Sequence, residues 1–221
     1  MKHVTKGVAP ASLQFWKTTA TPEWTPSYAE LPQEEKRSLH NALLTEQGRV
    51  CCYCGRRIAA DDSHIEHFRP QAMHPDLALA YENLHASCIR LTKPNEPLHC
   101  GHAKSGKFDE ALHISPLDPD CEARFSYALN GETIATDPAD SKVAYMTGLL
   151  KLNHASLSNR RRDAINRTFD PDFLVDASEA DMARLRDAFR TPDAQGHARD
   201  FGHVVARFAE QRLADDASTR G

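Results

Sequence analysis

The chain has 221 residues, 40% of them hydrophobic, with a net charge of −4 and a sequence pI near 6.3. That length buries one ordinary core without disulfides, and the composition excludes a disordered chain. The acidic balance excludes a protein that grips nucleic acid by overall charge, because non-specific affinity comes mostly from phosphate neutralisation. No stretch approaches the roughly 20 apolar residues that span a bilayer, and MKHVTKGVAPASLQFW holds no apolar export core, so no membrane partner and a cytoplasmic address are expected.

Residues 1–48 are expected to form an arm followed by a helix. Pro10, Pro22, Pro26 and Pro32, interleaved with Trp16 and Trp24, predict an irregular segment anchored by aromatics. Residues 32–48, PQEEKRSLHNALLTEQG, predict a helix: proline in the first turn, acids near the N-terminus, Leu39, Leu43 and Leu44 on one face, and glycine at the end.

Residues 49–110 read as a separate module, dense in Cys, His and short turns. Between Arg49 and Lys107 eight Lys/Arg stand against six Asp/Glu, with six histidines, so this stretch is less acidic than the whole. Residues 111–221 predict a hairpin and helices packed on that module. Phe125, Tyr127 and Leu129 alternate, Asn130-Gly131 signals a two-residue turn, and Thr133 and Ile134 follow. Helical spacing joins Val143, Met146 and Leu150; Met182, Leu185 and Phe189; and Phe201, Val204, Val205 and Phe208, with another helix over residues 156–168. The run Arg160, Arg161, Arg162 reads as a solvated helix face before it reads as a phosphate contact.

In a reducing compartment six cysteines point to metal before disulfides. Cys51-Cys52-Tyr53-Cys54-Gly55 is a C-x-x-C knuckle, in which two thiolates reach one tetrahedral zinc. Cys88 and Cys100 are the candidates for the other half, which makes a closed structural Zn²⁺ site, with His99 an alternative to Cys100. Cys52 and Cys121 read as small apolar residues.

Between the cysteine halves run Ser63-His64-Ile65-Glu66-His67-Phe68-Arg69-Pro70, then Tyr81-Glu82-Asn83-Leu84-His85-Ala86-Ser87-Cys88, then His99-Cys100-Gly101-His102-Ala103-Lys104-Ser105-Gly106. The order of C-x-x-C, an acid-His pair before proline, Asn-Leu ahead of a cysteine, and a last cysteine with lysine four positions on resembles the HNH endonuclease family. Within it the text from about residue 10 to 153 is most similar to the HNH nuclease subunit of Septu and retron-associated anti-phage systems. The resemblance implies an α+β chain, a zinc-stapled ββα-metal finger within mainly helical surroundings, and an ATPase subunit of the same defence system as partner.

Phosphodiester hydrolysis needs a nucleophilic water, a base for its proton, and positive charge at the leaving oxygen. His67 titrates in the right range, and its place resembles that of the family's general base. Glu66 is expected to face the other way and hold Mg²⁺ or another divalent cation as a hard oxygen ligand. Asn83 is expected to orient the His67 imidazole. Many family members carry Asn or His directly after the last cysteine, whereas this chain has Gly101. His102 is therefore the expected second ligand, with His85 and Asp109 as substitutes, while His64 reads as a supporting strand residue. Arg69 and Lys104 are expected nucleic-acid contacts. The reading is a metal-dependent DNA endonuclease with an anti-phage role. An RNA-directed nuclease and a non-catalytic zinc-nucleated adaptor are the alternatives.

Overall fold

The computed structural model describes residues 1–219, with side chains as far as residue 214. The N-terminal arm is more ordered than its prolines suggest. Helix α1, Ala11–Thr18, starts directly after Pro10, whose fixed backbone leads into the first turn, and Gln14 N–H donates to the Pro10 carbonyl. Leu13 is buried, and the Trp16 and Trp24 rings meet edge to face at 5.6 Å. Proline thus marks an entry to helix here, where spacing alone suggested a breaker. Helix α2, Gln33–Glu46, follows the expected pattern with Pro32 as its cap, and it turns Leu39, His40, Leu43 and Leu44 inward.

A knuckle over residues 51–55 leads to strand β1, Ser63–His67, which pairs antiparallel with β2, Leu84–Cys88. The register sets Glu66 opposite His85 and His67 opposite Leu84. Because side chains alternate along a strand, His64 and Glu66 leave one face while Ile65 and His67 leave the other. The connection between the strands contains two 3-10 turns, Pro75–Leu77 and Tyr81–Asn83. A single helical turn, α3, Gly101–Lys104, then packs back toward β1.

The second hairpin pairs β3, Phe125–Tyr127, with β4, Thr133–Ala135. Its loop is wider than the two residues expected. Ala128 N–H donates to the Glu132 carbonyl, so the loop proper is Leu129, Asn130 and Gly131, and Gly131 carries the positive φ. That is the three-residue form with glycine in the left-handed region. Helices α4, Ser141–Leu149, α5, Ala155–Asn166, α6, Pro171–Asp176, α7, Glu179–Arg190, and α8, Gly202–Thr219, complete the chain. The chain is therefore mixed α and β, mainly helical, with two small hairpins. Helix α6 had no periodic signal, being shorter than two turns. Among the described residues no helix is long and apolar enough to cross a membrane.

The arginine run divides when it folds. Arg161 is buried and donates to the Gly131 and Leu152 carbonyls, both at 2.7 Å, while Arg160 pairs with Asp200 and Arg162 with Asp163. Helix α8 supplies the central apolar layer through Val204, Val205 and Ala209, and Phe201 just before it donates its N–H to the Gly55 carbonyl. Gly55 has φ +73°, and a Cβ there would collide with the His203 ring.

Three histidines away from the thiols enter this fold neutral. Burial pushes His40 down to about 4, with Arg90 and His64 adding to it, and burial pushes His85 and His203 well below the usual histidine range. Below pH 6.5 the unfolded chain binds protons at these rings that the fold refuses, so stability falls as pH falls from 6.5 toward 4. Each ring contributes about 1.4 kcal/mol per pH unit in that window. Urea midpoints at pH 7.5 and 5.5 should differ by the equivalent of about 4 kcal/mol for three such rings. Equal midpoints would show that the rings charge within the fold.

Candidate active site and metal centre

The Sγ atoms of Cys51, Cys54, Cys88 and Cys100 lie within 4.8 Å of one another, and all four residues are buried. Cys54 and Cys88 sulfurs are 3.9 Å apart. A tetrahedron with Zn–S bonds of about 2.3 Å has S–S edges of about 3.8 Å, so the cluster matches the size of a closed zinc site. Burial opposes ionisation, yet hydrogen bonds from Cys100, Cys52, Cys54 and Cys88 hold the Cys51 thiol well below its ordinary value. Burial with its thiol neighbours pushes Cys100 up. Such a nest of thiols sheds further protons only with a cation in its centre. His99 is not in the cluster. Its Nδ1 stands 3.5 Å from the Cys88 sulfur and 3.3 Å from that of Cys100, as a neighbour that can donate to thiolates.

The cysteines come from the knuckle, the end of β2 and the residue before α3, so the cluster ties the hairpin to the helical turn. Within that frame Glu66 lies buried, and each of its oxygens has a partner. Oε1 accepts from Tyr53 Oη at 3.1 Å and pairs with Lys104 Nζ at 2.7 Å, and Oε2 faces His64 Nε2 at 3.4 Å. Burial would raise this carboxyl, but His64 and Lys104 hold it below its ordinary value. His64 donates its Nδ1 proton to the Ile89 carbonyl at 2.7 Å, which aims Nε2 at Glu66. His102 instead donates Nε2–H to the same carbonyl at 2.9 Å, and its ring lies against that of His64 at 4.4 Å. His102 Nε2 is thus engaged with Ile89, and the imidazole nitrogen that faces Glu66 Oε2 is that of His64. His64, given only a supporting part by the sequence, is the imidazole beside the acid.

Gly101 makes room for the Glu66–His64 pair. A Cβ at this position would lie 2.5 Å from Glu66 Oε2 and 2.7 Å from His64 Nε2. The space that a larger residue after the last cysteine would fill is shared here by the carboxylate and the His64 ring. Directly across the hairpin, His85 is fully buried, and neither of its ring nitrogens meets a hydrogen-bond partner among the described residues.

On the opposite face His67 donates Nε2–H to the Ala78 carbonyl at 3.1 Å, which leaves the Nδ1 lone pair to accept from Gln71 Nε2 at 3.3 Å. The Tyr28 ring meets the imidazole edge-on at 4.5 Å. Burial pushes the His67 pKa down, so the ring is neutral at pH 7 with Nδ1 unprotonated. Asn83 does not touch the imidazole as expected. Its Oδ1 accepts from Arg69 N–H at 2.7 Å, and its Nδ2 donates to the Arg69 and Leu77 carbonyls at 3.0 and 3.1 Å. It therefore staples both ends of the loop that presents Ala78, and it orients His67 through that backbone.

Lys104 departs furthest from expectation. It is 1% exposed, bonded to Glu66 and to the His67 carbonyl at 2.9 Å, and has no surface to offer a phosphate. Arg69 remains at the surface, paired with Glu110 and set over the Phe108 ring at 5.6 Å. Asp109 caps its own turn through Ala111 and Leu112 N–H groups.

The chain matches no protein-family model. It is 31% identical over 164 residues to a protein of Vibrio cholerae serotype O1 biovar El Tor named "Retron Vc95 putative HNH endonuclease", covering 71% of this chain and 76% of that one. This chain belongs to the HNH endonuclease family. Within this family member, Glu66, His64, Lys104 and Tyr53 form one group and His67, Ala78, Gln71 and Tyr28 another, back to back across β1. Sequence reasoning passed over Tyr53, Gln71, Ala78 and Tyr28. Tyr53 stood inside the C-x-x-C, and only its position between two ligands hinted that it would point inward.

Proposed function

We propose that this chain is a divalent-metal-dependent endonuclease that cleaves DNA as the effector of an anti-phage system, with His67 as general base. The observation that carries the reading is the tautomer of His67. With Nε2–H spent on Ala78, the buried neutral ring holds a lone pair on Nδ1 that can take a proton from water. Asn83 fixes the loop that fixes this tautomer. Glu66 Oε2 and His64 Nε2, which approach each other beside Gly101, would hold a divalent ion such as Mg²⁺. That ion supplies positive charge for the leaving oxygen when bound. The cysteine cluster fits Zn²⁺, and four protein ligands leave it a structural part.

Arg69 is the surface cation nearest this arrangement in sequence and is assigned to the phosphate backbone. The chain is acidic overall, so delivery to nucleic acid falls to a partner, for which the family resemblance supplies an ATPase subunit. Digestion of DNA and RNA side by side with Mg²⁺ and the partner, using wild type and His67→Ala, tests the assignment. His67→Ala is expected to slow DNA cleavage about 10²–10⁴-fold, the range of general base catalysis. Equal cleavage by both proteins removes His67 as base, and preference for RNA replaces the substrate. The Lys104 ion pair favours one second reading, a zinc-nucleated adaptor whose acid is already neutralised. Strand binding without cleavage at any divalent ion concentration would select it.

A further inference from the structure

A cleft of about 470 Å³ lies beside His67 and is lined by three of that residue's own neighbours, Tyr28, Gln71 and Ala78. Its walls are Pro26, Pro75 and Leu79, with Thr25 and Asp76 among the polar groups and Lys17 as the cation. The cleft thus combines flat apolar surfaces with an amide that can both donate and accept. Gln71 is engaged at present with His67 Nδ1, the very atom the base reaction requires.

We infer that this cleft receives an unstacked nucleobase next to the scissile phosphate, and that the base draws the Gln71 amide away from His67 Nδ1. The inference rests on the nuclease reading and deepens it by naming the substrate class as single-stranded or locally unpaired nucleic acid. Three features of the cleft point to a nucleobase. A base has an apolar face for tyrosine, proline and leucine, and a donor-acceptor edge for a primary amide. The cleft borders the ring that would act on a phosphate, and a nucleotide's base is tethered to that phosphate. The interior is reached only by a base out of its stack, as in enzymes that extrude a nucleotide into a pocket. With the base in place, Nδ1 loses its donor and gains an open lone pair, so occupancy and activation are one event. An empty cleft leaves the enzyme capped.

The test uses the full chain with its partner and without magnesium, so that nothing is cut, and a short fluorescent single strand as probe. Ala29→Trp and, separately, Thr25→Trp fill the cleft from residues that do not touch His67. Either variant that keeps its zinc and wild-type melting temperature is expected to bind the strand at least tenfold more weakly. The Nδ1 nitrogen resonance of His67 is expected to shift when the strand is added to wild type and to stay in place in the filled variants. Unchanged affinity in both variants, or an Nδ1 resonance that ignores the strand, overturns the inference. Loss of partner-dependent activity at unchanged strand affinity assigns the cleft to a protein and overturns it as well. Wild-type cleavage that survives both fillings removes the cleft and leaves the nuclease reading intact. A chain that cuts nothing yet binds strand through the cleft keeps the cleft and removes the nuclease.

Discussion

Withdrawing zinc from the thiol cluster is expected to unfold the region around residues 49–110, and Cys88→Ser is expected to do the same without a chelator. Zinc binding to small peptides with such ligands is worth about 10–16 kcal/mol, which matches or exceeds the whole stability of an ordinary domain, about 5–15 kcal/mol. The four sulfurs are shared among the knuckle, the end of β2 and the entry to α3, so each lost ligand frees an element that has little else to hold it. Helix α3 is a single turn, and β1 and β2 are five residues each. Elemental analysis should find about one zinc per chain that survives dialysis. Circular dichroism melting of Cys88→Ser should show the loss of a cooperative transition. A variant that melts like wild type, or a purified chain free of zinc, would remove the metal from the fold.

Lys104→Met is expected to destabilise the protein by about 3–5 kcal/mol, the cost of leaving one member of a buried ion pair alone. Glu66 is 6% exposed, and Lys104 supplies its full positive charge and a 2.7 Å hydrogen bond. Methionine keeps the length of the side chain, so packing changes little, but it removes the charge and the donors to Glu66 and to the His67 carbonyl. Burial is then opposed by His64 alone, and the Glu66 carboxyl rises. The double variant Lys104→Met, Glu66→Gln should recover most of the loss, because neither group then carries an unpaired charge. Urea denaturation of wild type, the single variant and the double variant gives the comparison. A single variant as stable as wild type would mean that water or a metal already serves Glu66 in place of Lys104.

The contrast between these two predictions shows what the amino-acid pattern carried and what it did not. The cysteines were legible because C-x-x-C and two later cysteines form a set that can be completed in few ways. Glu66 and His67 were legible as a pair facing opposite sides, since strand alternation is a local rule. Helix α2, the second hairpin and the helices from α4 to α8, except α6, followed from spacing that burial enforces. Lys104 was not legible. A lysine four residues after the last cysteine reads as solvent-facing until the hairpin is folded over it, and its burial is a property of three elements at once. The approach of His64 to Glu66 was hidden for a related reason: the lack of a Cβ at Gly101 acts through space on β1, with no trace in the spacing. Asn83 bonds to backbone, which motif order cannot distinguish from action on a ring. The retron relative supports the family and leaves these placements to be tested.

The seating of α8 on the knuckle has a consequence for how the protein is made. Phe201 bonds to the Gly55 carbonyl, and the His203 ring occupies the space where Gly55 lacks a side chain. On a ribosome adding about 5–20 residues per second, the knuckle waits on the order of ten seconds for that cover to emerge. During this interval the thiols can already gather a metal, but the floor beneath them is missing. A metal that enters this cluster can therefore do so before final closure, which waits for α8.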